Sequence, residues 1–215
     1  MVIQWLGQAC FKITSGELTL VIDPFGKDIG LTPPRFRADA VLVTHAHHDH
    51  SNSQSLSGEP SVITGPGEYE VKGIYIKGIE TYHDKSKGKE RGMNTVYKIE
   101  MEDITLVHMG DFGEGALGEE IVEDLGDVDI LMIPVGGKYT IDGQEAAKAV
   151  KQIEPRIAIP MHYMIPGLDL PLDGADLFLK ETGAAKKEAQ DKLTLKKKDL
   201  AGEEYKTEVV ILKPA

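Results

Sequence analysis

Four of the chain's seven histidines fall within six consecutive positions, in the run His45-Ala46-His47-His48-Asp49-His50. Imidazole and carboxylate are borderline-to-hard donors, a mixture that suits zinc, manganese or iron better than a metal seeking thiolate. From an extended segment His45 and His47 point the same way. Asp49 and His50, past a bend, can serve a second ion a few ångströms off. A solvated polar loop would have a similar composition, but the run follows directly on Ala38-Asp39-Ala40-Val41-Leu42-Val43-Thr44, which reads as a buried strand ending at His45. Strand ends are where α/β folds usually build sites, because the strand is rigid and the loop beyond it is free to aim side chains.

Other segments can position the run. Residues 1–22 alternate apolar and polar in short bursts broken by Gly7 and Ser15-Gly16, which predicts a meander stopped by Asp23-Pro24. A Gly/Pro-rich loop follows, and residues 61–109 continue the strand pattern with glycines between the strands. After Gly110-Asp111 the period changes. Helices are predicted over 118–125, 142–153 and 173–181, and strands over 128–135 and 156–160, with 192–196 and 208–212 as closing strands. Asp142 and Glu145 have the spacing of a capping box. Strands first, then strands alternating with helices, predict sheets covered by helices, an α+β arrangement that a four-layer αβ/βα sandwich fits.

The 215 residues are expected to form one domain, residues 1–215. Twenty-four Lys and Arg against 35 Asp and Glu leave a net charge of −11, which repels polyanions, so no nucleic acid is expected as a partner. Cys10 is the single cysteine, which excludes an intrachain disulfide and a multi-cysteine zinc site, and it reads as a buried strand residue. The N-terminal residues lack a signal-peptide pattern, and no segment approaches the ~18 to 20 apolar residues of a membrane span. A cytoplasmic protein with no membrane association is the expectation, and self-association as a homo-oligomer is left open.

The run from Thr44 to His50 resembles the H-x-H-x-D-H signature of the metallo-β-lactamase superfamily, and the superfamily's other motifs follow in order across almost the whole chain. Asp23 after an early strand matches the first motif, Asp111 in Val107-His108-Met109-Gly110-Asp111 resembles the carboxylate that bridges two ions, and His162 in Ile159-Pro160-Met161-His162-Tyr163 resembles the late histidine. The resemblance asks for one more histidine before Asp111, and His83 and His108 are available. Strand alternation would turn His108 away from Asp111, so His83 is preferred, although the usual G-H-S/T context is missing around it. The resemblance then implies that His45, His47 and His83 hold one divalent ion and Asp49, His50 and His162 another, with Asp111 shared. Zinc is the default, with manganese or iron as alternatives. It also implies a metal-bound hydroxide acting on an ester, lactone or phosphoester, Asp49 orienting the nucleophile or taking its proton, and Asp23 orienting a ligand from behind.

Within the superfamily, a histidine at position 47 argues against the diiron flavoproteins, which have glutamate there. The nearest resemblance is to small hydrolases related to the L-ascorbate-6-phosphate lactonases and to uncharacterised metal-dependent hydrolases. It rests on residues 65–70, Gly110-Asp111, residues 134–140 and residues 160–163. Lys85, Lys87, Lys89 and Arg91 would form a mobile basic loop at the mouth of such a site, suited to an anionic small-molecule substrate, unless they are only a solvated hairpin connection. Gly136-Gly137 permit close backbone approach. Lys138 and Tyr163 are the candidate substrate contacts, with Tyr139 and His48 beside them. Two other functions keep the same residues: a phosphodiesterase or nuclease, and a non-catalytic metal- and metabolite-binding protein.

Overall fold

The computed structural model describes residues 1–202 and 205–215. In chain order come β1 (Val2–Gly7), β2 (Cys10–Ser15), β3 (Leu18–Ile22), β4 (Ala40–Val43), β5 (Ser61–Thr64), β6 (Gly67–Val71), β7 (Ile74–Tyr82), β8 (Met93–Met101) and β9 (Ile104–His108). They are followed by α1 (Glu119–Leu125), β10 (Ile130–Pro134), α2 (Gly143–Ile153), β11 (Ile157–Met161), α3 (Asp176–Glu181), β12 (Leu193–Thr194) and β13 (Glu208–Val209).

The strands form two mixed sheets, one in the order β12-β1-β2-β3-β4-β5 and the other β13-β11-β10-β9-β8-β7-β6. Each has an antiparallel part and a parallel part. β1 to β3 are antiparallel neighbours, and β3, β4 and β5 are parallel. In the second sheet β6 to β9 are antiparallel, and β9, β10, β11 and β13 are parallel. The parallel strands β4, β10 and β11 are buried at every position, as their unbroken apolar runs require, whereas β1 alternates. Side chains of both sheets join one apolar cluster, from Trp5 and Phe11 to Ile99 and Met132. Removing an apolar side chain of this size from water contributes on the order of 1.5–3 kcal/mol. The Tyr97 hydroxyl donates to the Val43 carbonyl at 3.0 Å, pinning the second sheet to the first.

The helices pack with the second sheet, α2 against β10 and both α1 and α3 against α2. The predicted capping box of α2 is present: Asp142 Oδ1 accepts from the Gln144 and Glu145 N–H groups at 2.9 Å, and Glu145 Oε2 accepts from the Asp142 N–H at 3.2 Å. Three boundaries differ most from the sequence pattern. The third helix starts at Asp176 rather than 173, because the Asp173 N–H donates to the Gly136 carbonyl and its own carbonyl accepts from Met164. The strand expected over 192–196 shrinks to Leu193–Thr194, paired with Ile3 and Val2 of β1. The last strand is Glu208–Val209 rather than 208–212. Cys10 is fully buried on β2, and burial, with the charge of Asp23 behind it, pushes its thiol pKa well up. Among the described residues no helix is long and apolar enough to cross a membrane.

Candidate metal centre

The strand directions explain why residues far apart in sequence converge. Within the first sheet β1, β3 and β4 run the same way, as do β7, β9 and β11 within the second. Their C-terminal ends therefore share one edge of each sheet. Asp23 directly follows β3, residues 45–50 follow β4, His83 follows β7, Asp111 lies three positions past β9, and His162 follows β11. The two edges are tied by the Thr95 N–H donating to the Thr44 carbonyl at 3.0 Å. Asp23 and His162 have left-handed backbones, with φ of 47° and 52°, a conformation that β-carbons disfavour and that concentrates at sites where geometry is imposed by the surroundings.

Asp111 is the hub. Its Oδ2 lies 3.2 Å from Nε2 of His83, 3.2 Å from Nε2 of His162 and 3.9 Å from Nε2 of His45, while its Oδ1 is 3.3 Å from Nε2 of His50. Three sets of candidate ligand atoms fall within 4.8 Å of one another: His45, His47 and His83; His45, His50 and Asp111; Asp49, His50 and His162. The first and third sets are the groupings read from the sequence. Around them Nε2 of His45 and His50, Nδ1 of His83, both ring nitrogens of His162 and Oδ1 of Asp111 are buried with no hydrogen-bond partner. Each buried polar atom left in that state costs about 1–3 kcal/mol. Lone pairs from imidazole and carboxylate, gathered this closely, are the donors a borderline divalent cation takes. The residues present fit such ions.

Groups behind the ring fix its orientation. His50 Nδ1 is 2.9 Å from Asp23 Oδ2, which makes Nδ1 the protonated nitrogen and leaves Nε2 facing Asp111. Asp23 also accepts from the Thr44 N–H at 2.8 Å and the Thr44 hydroxyl at 2.7 Å. Burial would lower the pKa of His50, but the carboxylates of Asp111 and Asp23 on its two sides hold it well above the ordinary imidazole value. For Asp111 burial acts upward and loses to the charges of His162 and His50, so its pKa lies well below the usual carboxylate range. Burial, reinforced by His50, takes His45 down to about 3.

The structure separates the two histidines available before Asp111. His83 joins the ring, whereas His108 Nε2 donates to the Ala9 carbonyl at 2.8 Å and its Nδ1 accepts from the Gly110 N–H at 3.1 Å, so both its nitrogens are occupied. His48 is exposed at the rim of a cavity of about 410 Å³ that opens over His47, Asp49, His83 and Asp111. The two expected substrate contacts lie differently. Tyr163 stacks on Trp5 with ring centres 5.0 Å apart, and it lines neither this cavity nor the adjoining one of about 390 Å³. Lys138 lines only the adjoining cavity, with Nζ 3.7 Å from Asp173 Oδ1. Gly136 does permit close approach, but to the chain itself: a β-carbon there would run into the His162 carbonyl. The basic loop is tied down, because the carboxylate of Asp84 accepts from the backbone N–H groups of Ser86, Gly88, Glu90 and Arg91 at 2.8 to 3.1 Å.

Sequence reasoning missed two residues that hold the ring. Gln8, fully buried with φ of 52°, donates from Nε2 to Asp49 Oδ2 at 3.0 Å, and its carbonyl accepts from the His162 N–H at 3.0 Å. Asn94 Oδ1 accepts from the Asp111 N–H at 2.9 Å, while its Nδ2 donates to the Met109 carbonyl at 2.9 Å. The only signal for Gln8 was its place just after a strand end, and Asn94 sits inside a strand with no motif around it.

Residues 2–162 match the family model for the β-lactamase superfamily domain. A UPF0173 metal-dependent hydrolase of Thermococcus kodakarensis is 31% identical over 191 residues, covering 75% of this chain and 84% of the relative. Another from Thermoplasma acidophilum is 32% identical over 185 residues, covering 74% of this chain and 81% of the relative. A solved structure from Thermotoga maritima, assigned to the metallo-β-lactamase superfamily, is 34% identical and superposes with a TM-score of 0.77 over 99% of both chains. With two mixed sheets, candidate metal-ligating residues at strand ends and these matches in agreement, the chain belongs to the metallo-β-lactamase superfamily, in the company of its metal-dependent hydrolases.

Proposed function

We propose that this metal-dependent hydrolase cleaves an ester, lactone or phosphoester bond of a small molecule at a centre of two divalent ions, zinc by preference. The observation that carries the reading is the set of partnerless buried Nε2 atoms of His45, His50 and His162 gathered round Asp111. His45, His47 and His83 would hold one ion, Asp49, His50 and His162 the other, and Asp111 both. Bound there, the ions would supply Lewis acidity toward the oxygen under attack and lower the pKa of water.

The chain's own residues do the rest. Asp23 holds a proton of His50 on Nδ1, so that Nε2 is the nitrogen that would give up its proton to an arriving ion and offer its lone pair. Gln8 restrains Asp49 through Oδ2, and in this reading the Asp49 carboxylate orients the attacking water and accepts its proton. The cavity beside His47 and Asp49 has room for a small substrate, and Leu170 contributes an apolar wall.

The test is metal-quantified protein assayed on a simple ester, on lactones including a phosphorylated one, and on bis(p-nitrophenyl) phosphate. Turnover of esters or lactones that disappears on chelation and returns with zinc supports the reading. Turnover of the phosphodiester alone would transfer the site to phosphodiesterase chemistry. Tight metal binding with no turnover on any of the three would favour a binding protein.

A further inference from the structure

Positive charge in and around the cleft has two fates. Lys85 is ion-paired with Glu145, and Lys138 lies against Asp173. Lys87 and Lys89 are exposed and line neither cavity. Arg91 is different. It is half-buried and lines both the cavity over the histidines and the adjoining one. Its guanidinium carbon sits 4.2 Å from the centre of the Tyr139 ring, and its backbone N–H is gripped by Asp84 Oδ2 at 2.8 Å. Among the described residues no carboxylate pairs with this guanidinium and no hydrogen bond uses its donors, in a chain whose net charge is −11.

A guanidinium is a planar fork of five donors that matches a carboxylate or phosphate two bonds at a time. The cation–π contact with Tyr139 uses none of those donors and leaves them free. Asp84 and Tyr139 hold the residue from opposite ends, so little side-chain freedom remains to be lost when an anion arrives.

We propose that Arg91 is the specificity-determining residue of the cleft and receives a carboxylate or phosphate group of the substrate, remote from the bond that is cleaved. The proposal rests on the hydrolase reading above, and its test separates the two. The zinc-loaded protein is assayed on 4-nitrophenyl butyrate and on mono(4-nitrophenyl) glutarate, which differ in a terminal carboxylate. The expected result is a preference for the glutarate ester, expressed in KM, that falls by about tenfold or more in Arg91→Met and is partly restored in Arg91→Lys. Methionine keeps an apolar stem on Tyr139, so a packing defect does not reproduce the change in ratio. An equal change on both esters, or a wild-type protein that does not discriminate, overturns the proposal.

A second arm needs no turnover. Titration calorimetry of metal-free protein with glutarate and with inorganic phosphate reads the same contact. Weaker binding in Arg91→Met by about tenfold supports it, and the tighter of the two anions names the group recognised. Equal binding by wild type and variant overturns it. Should neither ester turn over while the calorimetric difference stands, hydrolysis of simple carboxylic esters fails and the anion site survives.

Discussion

The inner ring and the outer cleft are both lined by ionisable residues, yet these are satisfied in opposite ways. Outside, Lys85 meets Glu145, Lys138 meets Asp173, and Asp84 is saturated by four backbone N–H groups. Inside, histidine nitrogens and an aspartate oxygen are buried without partners. A protein keeps such groups only where something else completes them, because each one left open costs about 1–3 kcal/mol. The partnered residues describe how the cleft is built, and the unpartnered ones describe what it takes up.

The largest effect that would break this contrast comes from the hub. Asp111→Ala is expected to lower kcat/KM by on the order of 10³-fold or more and to reduce bound metal, since groups acting as a unit fail together. Metal analysis beside steady-state rates checks it, and a fully loaded, active variant would remove Asp111 from the centre. Next comes chelation. Ligand ions bound only by the folded state at 100 times their Kd stabilise it by about 2.7 kcal/mol, so stripped protein should melt earlier and recover with zinc. A melting curve indifferent to metal would mean the unpartnered atoms serve no ion.

Smaller losses sharpen the contrast by moving one layer outward. Asp23→Asn and Gln8→Leu should each cost about 10- to 100-fold in metal affinity or activity, through His50 and Asp49 respectively. Gln8→Leu with unaltered metal binding and pH profile would reduce that residue to packing. The smallest expected effect lies in the outer scaffold: Asp142→Ala removes the cap of α2 at a cost of about 1 kcal/mol, a fall of roughly 2–4 °C in Tm for a chain of this size, with kcat unchanged. A loss of activity there would show that the helix end, whose Glu145 also pairs with Lys85, communicates with the ring.

Much of this was legible beforehand, for definite reasons. The ligand run at 45–50 is local, so residue type and spacing carried it, and the strand before it could be read from an unbroken apolar stretch that parallel sheets require. The capping box of α2 was equally local. Boundaries failed where a distant partner decided them, as at Asp173, which is taken by Gly136 and Met164. Tyr163 was misread because a flanking position says nothing about which way a ring turns, and Trp5, 158 positions earlier, turns it into the core.

The sequence by itself determined the donor chemistry, the strand-end placement of the candidate metal-ligating residues and the superfamily. These depend on short-range pattern, which residue order encodes directly. Only the tertiary structure decided that His83 rather than His108 faces Asp111, that Gln8 and Asn94 hold the ring, and that Arg91 alone among the four cations of its loop lines the cavity over the histidines. Those facts are properties of which strand ends share an edge and which donors find acceptors. Both are set by pairing between segments tens of residues apart, where no local spacing reaches.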